Sequence, residues 1–148
     1  MNEPGLQLAG DDYQKPLPRP SEQSRAFWQA CREDHFILQR CSRCHSFWFP
    51  PSPLCPECLS EDWAWEQASG RGSIFSYVVM HRVYHPGFAS DVPYLLAVVE
   101  LEEGPRFLSN IVGCENKDPR VGLPVEVVFD AVTSEVTLPK WRLAPSTD

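Results

Sequence analysis

Hydrophobic and polar residues alternate along most of the second half of the chain, with turn-forming glycine and proline residues between the alternating runs. Alternation with a period of two is typical of half-buried β-strands, so the pattern predicts a series of short strands. The predicted strands lie near residues 73–84, 94–102, 106–112, 124–130 and 134–142. Five strands of this length predict a small, partly open OB-fold barrel, and an SH3-like barrel is the alternative.

The first quarter of the chain has a different pattern. Residues 1–20 carry several prolines among small and polar residues, which is typical of an extended arm. Further on, Phe27 and Cys31 recur at helical spacing, and Ser21 is the predicted N-cap. We therefore expect one short amphipathic helix within residues 21–35, followed by a strand that leads into the first pair of cysteines.

The first predicted barrel strand is apolar on both of its faces. Its apolar side chains are Ile74, Phe75, Tyr77, Val78, Val79, Met80 and Val83. A barrel that stood alone would wet its outer face and show a clean alternation of apolar and polar residues. The outside of this strand is therefore expected to be covered, either by the helix and the cysteine-containing segment or by a partner protein. Pro139 in the last strand predicts an edge strand, because proline cannot donate to a ladder.

Four cysteines form two C-x-x-C pairs that are separated by ten residues, and they are Cys41, Cys44, Cys55 and Cys58. Two such pairs can present four thiolates in a tetrahedron, which is the geometry that zinc adopts in structural sites. Because four protein ligands leave no open position for water or substrate, the expected role of the zinc is structural rather than catalytic. The surrounding residues 36–68 contain too little apolar area to fold without a metal.

The cysteine pairs also allow other interpretations. Redox-active dithiols are one, although such motifs usually open a helix in a βαβ setting that is missing here. One disulfide beside a free pair is another, and the four thiolates could also bind iron, as in an electron carrier of rubredoxin type. His45 directly follows Cys44 and is an alternative ligand. Cys31 and Cys114 lie outside the pairs and are predicted to be buried free thiols.

The charge balance and the hydropathy of the chain argue against several classes of protein. The net charge is −7, and the basic residues form no cluster, which argues against a nucleic-acid partner. A single-stranded nucleic-acid binder remains a weaker alternative, since OB-folds and tryptophans occur in such proteins. The N-terminal sequence lacks the features of a signal peptide, and no apolar run approaches the roughly 18 residues of a membrane span. Paired thiols without a secretion signal predict a cytoplasmic protein.

Candidate ligand-binding residues are found mainly around the end of the first barrel strand. His81, Arg82 and His85 are interpreted as an anion-binding rim for a CoA ester, or else as an ordinary exposed strand end. Phe88 lies on a Pro/Gly loop and is either a contact point for a ligand or a plug in its own domain. The other candidates are Arg106, Asn110 and Arg142. The chain has no G-x-S-x-G, H-E-x-x-H or P-loop motif, so it is predicted not to be an enzyme.

Five runs of the sequence together resemble the zinc-ribbon/OB-fold acyl-CoA-associated family, which has long been classed as a domain of unknown function. They are FWQACREDHFILQRCSRC, FPPSPLCPEC, SGRGSIFSYVVMHR, HPGFASDVPYLLAVVELEEGPRFLSNIVGC and VGLPVEVVF. The resemblance covers residues 22–130. It implies an N-terminal helix, a rubredoxin-like zinc ribbon at residues 36–68 and an OB-fold at residues 69–145. The family's GRG element maps onto Gly70–Gly72, and His45 stands where relatives often carry glycine.

The resemblance also implies a function. Members of this family are typically partners of thiolase-superfamily enzymes: thiolases with hydroxymethylglutaryl-CoA synthase, acyltransferases of phloroglucinol type, and lipid-transfer-protein-like aldolases of steroid side-chain degradation. The expected role is therefore a noncatalytic accessory subunit that helps to form the partner's acyl-CoA site. Among these partners, a lipid-transfer-protein-like enzyme acting on a bulky, steroid-derived acyl-CoA is favoured. A stand-alone acyl-CoA-binding protein is the alternative.

Overall fold

The computed structural model describes residues 13–145, and residues 1–12 of the predicted arm lie outside that range. The described part contains one α-helix, a three-stranded sheet and a five-stranded barrel. The elements are α1 (Arg25–Arg32), β1 (Ile37–Cys41), β2 (Phe47–Trp48), β3 (Trp63–Gln67), β4 (Arg71–Met80), β5 (Tyr94–Leu101), β6 (Arg106–Ile111), β7 (Pro124–Ala131) and β8 (Thr137–Leu143). None of the helical segments within residues 13–145 is long and apolar enough to cross a membrane.

Helix α1 is shorter than the predicted segment at both ends. Its N-cap is Ser24 rather than Ser21, because the two serine hydroxyls accept each other's backbone N–H groups, at 2.8 and 3.2 Å, in a turn before the helix. At the other end, Asp34 has a left-handed φ of 61°. The N–H of His35 donates to the carbonyl of Ala30 at 2.8 Å, which completes a Schellman motif and ends the helix.

The three-stranded sheet has β1 in the centre, in the order β2–β1–β3, and both pairings are antiparallel. The fully buried Gln39 on β1 connects this sheet to the proline-rich loop, which contains Pro50, Pro51 and Pro53. Its amide nitrogen donates to the carbonyl of Ser52 at 2.7 Å, and its amide oxygen accepts from the Ser52 N–H at 2.8 Å. This two-way bond satisfies a buried polar side chain and holds the loop between the two cysteine pairs in place.

The remaining strands form a closed barrel in the order β4–β5–β6–β8–β7, with β4 also paired to β7. This confirms the predicted OB-fold, although the barrel is closed rather than partly open. The contact between β6 and β8 is parallel and consists of the single pair Ile111–Trp141. The prediction that Pro139 marks an edge strand is wrong, because β8 lies between β6 and β7. Proline is tolerated there because β8 has almost no ladder with β6 that a missing N–H would break.

The Gly70–Gly72 element marks the entry of the chain into the barrel. Gly70 has a left-handed φ of 73°, which glycine adopts at little cost. At Gly72, an added Cβ would lie 2.5 Å from the carbonyl oxygen of Glu100 on β5. Between them, Arg71 is paired with Glu102 through a contact of 3.0 Å. Glycine is therefore required at both positions for β4 to leave the ribbon and pack closely against β5.

The helix, the ribbon and the barrel share one hydrophobic core. Phe36, just before β1, packs edge-on against Trp141 of β8, with ring centroids 5.6 Å apart. Phe49, which follows β2, lies 4.6 Å from Phe107 of β6 and 5.1 Å from Phe27 of α1. A second, smaller cluster surrounds the cysteines. The shared aromatic residues mean that the ribbon is packed into the barrel rather than tethered to it.

The outer face of β4 is not covered by these elements. Phe75 and Val78 keep 44% and 51% of their surface exposed. The helix contacts β1, β7 and β8 instead. The expectation that the helix and ribbon cover the outside of this strand is therefore wrong. The residues that they cover, such as Ile74, point into the barrel.

Candidate metal centre and barrel groove

The four paired cysteines converge on one point between β1, β2 and the proline-rich loop. All four Sγ atoms lie within 4.8 Å of one another. The Cys41–Cys58 and Cys44–Cys55 sulfur distances are 3.5 and 3.6 Å. Around a zinc ion with Zn–S bonds of about 2.3 Å, the edges of a regular tetrahedron would be about 3.8 Å. The residues present therefore fit a zinc ion, with one thiolate at each corner.

The two cysteine pairs are held by the same local turn. His45 and Leu59, the residues that follow the second cysteine of each pair, have left-handed φ values of 67° and 63°. Their N–H groups donate to the carbonyls of Cys41 and Cys55, at 3.0 and 2.8 Å. His45 is exposed and does not belong to the group of candidate ligands. It adopts the left-handed turn that glycine adopts readily, so a histidine at this position leaves the turn intact.

Backbone amides help to stabilise the thiolate form at this centre. The N–H groups of Cys44 and Arg43 point at Cys41 Sγ, at 3.4 and 3.3 Å, and lower the pKa of Cys41 to about 6. The Ser46 hydroxyl lowers the pKa of Cys44. For Cys58, the Ser60 backbone lowers the pKa, but the neighbouring thiols and burial outweigh it and raise the value to about 11. A divalent cation would offset this mutual repulsion between the sulfurs.

The two other cysteines are far less suited to chemistry. Cys31 is completely buried, and burial raises the pKa of its thiol to about 12, as expected for a buried free thiol. Cys114 is half-buried rather than buried, and its pKa is raised by desolvation and by Asp118. Neither thiol has the lowered pKa of a reactive cysteine.

The predicted rim residues at the end of β4 differ in exposure and in their contacts. His81 and Arg82 are exposed, and the Arg82 guanidinium lies 5.3 Å from the centre of the Tyr84 ring. His85 instead has a structural contact, because its Nδ1 accepts from the N–H of Gly87 at 3.0 Å. This bond caps the short 3₁₀ turn Pro86–Phe88.

Two of the predicted arginines are already paired with carboxylates. Arg106 stacks on the ring of Phe75 at 3.6 Å and lies 3.6 Å from Glu100. Arg142 contacts Glu126 at 2.6 Å. Trp141, beside Arg142, is completely buried in the shared core, so it does not offer a surface on which an adenine could stack.

Phe88 and Asn110 are brought together at one groove of about 470 Å³, which we call the arm groove. Its other lining residues include Tyr13, Lys15, Tyr94, Leu138 and Lys140. The Phe88 ring stacks on Tyr94 with centroids 5.5 Å apart, and Asn110 donates to the Leu95 carbonyl at 2.8 Å. Both lysines of the groove are neutralised, because Lys15 pairs with Asp91 and Lys140 with Asp130, each at 2.6 Å.

The role of residues 13–16 at this groove was missed by the sequence analysis. Lys15 lies over the rings of Tyr13 and Phe88, at 5.3 and 5.5 Å. A Cβ at Gly87 would lie 2.5 Å from the backbone oxygen of Gln14, so the arm rests directly on this glycine. Nothing local in the sequence signals this contact, since the arm and the loop are distant along the chain. The proline content of the arm indicated only that it is extended.

Comparison with known proteins assigns both halves of the chain. Residues 28–64 match the domain described as "ChsH2, rubredoxin-like zinc ribbon domain", and residues 65–130 match "ChsH2, C-terminal OB-fold domain". A "DUF35 domain-containing scaffold protein" of Methanocaldococcus jannaschii is 34% identical over 73% of this chain and 77% of its own length. The chain belongs to the DUF35 family. The predicted family, zinc ribbon and OB-fold are thereby confirmed.

Two further relatives of this DUF35 chain come from larger assemblies. A solved structure described as "Ltp2-ChsH2(DUF35) aldolase" has a TM-score of 0.79 and 36% identity, over 87% of this chain and all of that chain. A "Probable enoyl-CoA hydratase alpha subunit" of Thermomonospora curvata is 40% identical over 86% of this chain. The DUF35 chain spans 40% of the length of that hydratase subunit, so it corresponds to one part of it.

Proposed function

We propose that this DUF35 chain is a noncatalytic accessory subunit that binds a thiolase-superfamily enzyme of the lipid-transfer-protein-like kind and helps to form its acyl-CoA site. The observation that carries the proposal is the likeness, along 87% of the chain, to the DUF35 chain of the Ltp2-ChsH2 aldolase. The names of the other relatives, a scaffold protein and a subunit of an enoyl-CoA hydratase, support it. We also propose that the partner enzyme acts on a bulky, steroid-derived acyl-CoA and that this chain is located in the cytoplasm.

The contacts of the chemistry-bearing side chains support a noncatalytic role. Four thiolates would fill the coordination shell of a zinc ion and leave no open position for a substrate. His85 accepts from a turn N–H, and Arg142 is held by Glu126. A zinc ion bound here would supply folding energy, and the reaction itself would be carried out by the partner enzyme.

Within this proposal, the seven predicted ligand residues remain candidates for contact with the acyl-CoA. Among the cations in this set, Arg82 is the most available to an acidic group of the ligand or of the partner, because within residues 13–145 it contacts the Tyr84 ring and no carboxylate pairs with it. A cation without a counter-ion can bind a phosphate without first breaking an ion pair. Arg106 would have to leave Glu100 to do the same.

The test is to measure binding to the Ltp2-like aldolase of the same organism by calorimetry, and then the activity of that enzyme with and without this chain. We expect a stable complex and a higher activity. We further expect that Arg82→Ala leaves the fold intact but, at a saturating concentration of this chain, raises the KM of the enzyme for acyl-CoA. Arg120→Ala, at another exposed arginine, is the control. Failure of the wild-type chain to bind or activate the enzyme would overturn the proposal.

The stand-alone acyl-CoA-binding alternative rests on the arm groove. Its volume of about 470 Å³ and its apolar walls would accommodate part of an acyl chain. However, the pairing of Lys15 with Asp91 and of Lys140 with Asp130 leaves little charge for phosphates. Calorimetry with octanoyl-CoA on the isolated chain separates the two functions. The accessory role predicts weak binding or none, and tight binding would favour the alternative.

A further inference from the structure

Large exposed hydrophobic residues are concentrated on one side of the barrel. Of the nine that the described residues contain, five lie on β4, on the loop after it and on β6. They are Phe75, Val78, Val83, Tyr84 and Leu108. Scattered single residues of this kind are normal on a protein surface, whereas a cluster rimmed by polar residues is typical of an interaction site.

The strand register shows that these residues form one continuous face. Val78 on β4 pairs with Leu96 on β5, and Val98 on β5 pairs with Leu108 on β6. Leu96 and Val98 are two residues apart, so they point to the same side of the sheet, opposite to the buried Ala97. We call the surface formed by Val78, Leu96, Val98 and Leu108, with Phe75 and the loop 81–84 beside it, the β4–β6 face.

Two arginines border the β4–β6 face, and each is held against an aromatic ring. The Arg106 guanidinium stacks on Phe75 at 3.6 Å, and Arg82 lies 5.3 Å from the Tyr84 ring centre. Tyrosine and arginine are enriched among the residues that dominate binding energy at protein interfaces. Stacking also restricts each arginine before any partner arrives, which lowers the entropy lost on binding.

We propose that the β4–β6 face is the surface that docks the partner enzyme, and that the partner presents an apolar patch with a carboxylate positioned to pair with Arg82. This rests on the proposed function, and it adds which surface binds and what chemistry it meets. Leu96 and Leu108 of this face also line an apolar groove of about 400 Å³ beside Trp28, which an apolar side chain of the partner would fill on docking.

The charges on the face favour a different protein over a second copy of this chain. Within residues 13–145, the carboxylate that lies on the β4–β6 face is that of Glu100, and it is already paired with Arg106. If two copies docked face to face, each would offer Arg82 no available carboxylate there. Each copy also carries a net charge of −7, so association would bring two like-charged molecules together. A different partner with a carboxylate at the rim of its apolar patch would supply the counter-ion that a second copy does not offer to Arg82.

The experiment compares binding of the wild-type chain and four variants to the purified Ltp2-like aldolase by surface plasmon resonance. Val78→Glu and Leu108→Glu place a charge on the face at side chains that are 51% and 63% exposed. Each should weaken binding by at least about tenfold. Val121→Glu is the matched control, because Val121 is 66% exposed but lies in the loop before β7. Its affinity should stay within about twofold of wild type.

The fourth variant tests the charge on the face. Arg82→Glu should mainly slow association and reduce the salt dependence of the association rate.

The possible results distinguish an error in the proposed docking surface from an error in the proposed function. If the wild type binds and both face variants bind equally well, the docking surface is wrong and the proposed function stands. If the wild type does not bind the aldolase, both are wrong. If light scattering shows that the chain alone is a dimer that Val78→Glu dissociates, the occupant is a second copy and the proposal fails. Val78→Ser and Leu108→Ser replace the glutamate variants if melting curves reveal misfolding.

Discussion

At the scale of single residues, the metal centre depends on two backbone conformations that side chains rarely adopt. His45 and Leu59 both have left-handed φ values, 67° and 63°, and both turn the chain after a cysteine pair. A left-handed conformation costs a residue with a side chain about 1–2 kcal/mol. That cost is offset here because the N–H groups of His45 and Leu59 close the two turns on the carbonyls of Cys41 and Cys55, at 3.0 and 2.8 Å. The cysteine spacing predicted the ligands, but the sequence carried no signal of this cost.

We expect His45→Gly to retain one bound zinc per chain and to raise the free energy of unfolding by up to about 1 kcal/mol. The substitution removes the left-handed strain, but the greater freedom of glycine in the unfolded chain offsets part of the gain. Zinc content by elemental analysis and urea denaturation would measure both effects. His81→Gly is the control, since His81 has no left-handed φ and should be destabilised or unchanged. Loss of zinc in His45→Gly would mean that the imidazole is a ligand after all.

At the scale of elements, the sequence predicted each strand of the barrel but not all of their ends. Alternation identified the strands because each has one face in the core, as with Ile74 and Val99. The first strand was predicted to end at residue 84, whereas β4 ends at Met80. The apolar residues Val83 and Tyr84 extended the pattern although they lie on an exposed loop. Pairings between distant segments, such as the arm with the loop after β4, leave no periodic pattern that a sequence can reveal.

We expect Gly87→Ala to displace residues 13–16 from the barrel while the rest of the fold stays intact. An added Cβ would lie 2.5 Å from the Gln14 carbonyl oxygen and 2.9 Å from the Lys15 backbone nitrogen, and backbone atoms cannot yield to it easily. The Lys15–Asp91 ion pair should be lost with the arm. Hydrogen exchange and limited proteolysis of the arm would detect its release. Ser90→Ala in the same loop is the control. An equally protected arm in Gly87→Ala would show that the contact does not hold it.

At the scale of the whole molecule, the ribbon and the barrel behave as one packed body. Phe36 and Phe49 belong to the ribbon, yet they contact Trp141 and Phe107 of the barrel. The sequence predicted both modules and their order, because each has its own local pattern. It did not predict that they share a core, since aromatic residues in a ribbon loop are also compatible with a module that folds by itself. The exposed β4–β6 face was only partly anticipated, from the apolar residues on both sides of the first strand.

The shared core leads to a prediction about zinc removal. Cys41→Ser, or chelation of the zinc, should release the metal and also loosen the barrel around Trp141. Zinc binding by four cysteines contributes on the order of 10 kcal/mol to the folding free energy. The ribbon that it stabilises holds Phe36 and Phe49 against the barrel core. Near-ultraviolet circular dichroism would follow the buried aromatic residues while elemental analysis follows the zinc.

Cys114→Ser is the matched control for that measurement, because Cys114 lies outside the metal group and should keep both the zinc and the aromatic signal. Two results would contradict different parts of the argument. If Cys41→Ser keeps its full metal content, the ligand assignment is wrong. If it loses the metal but the signal from the buried aromatic residues is unchanged, the ribbon and barrel are independent modules. In that case the docking surface that we propose would lie on a barrel whose shape does not depend on zinc.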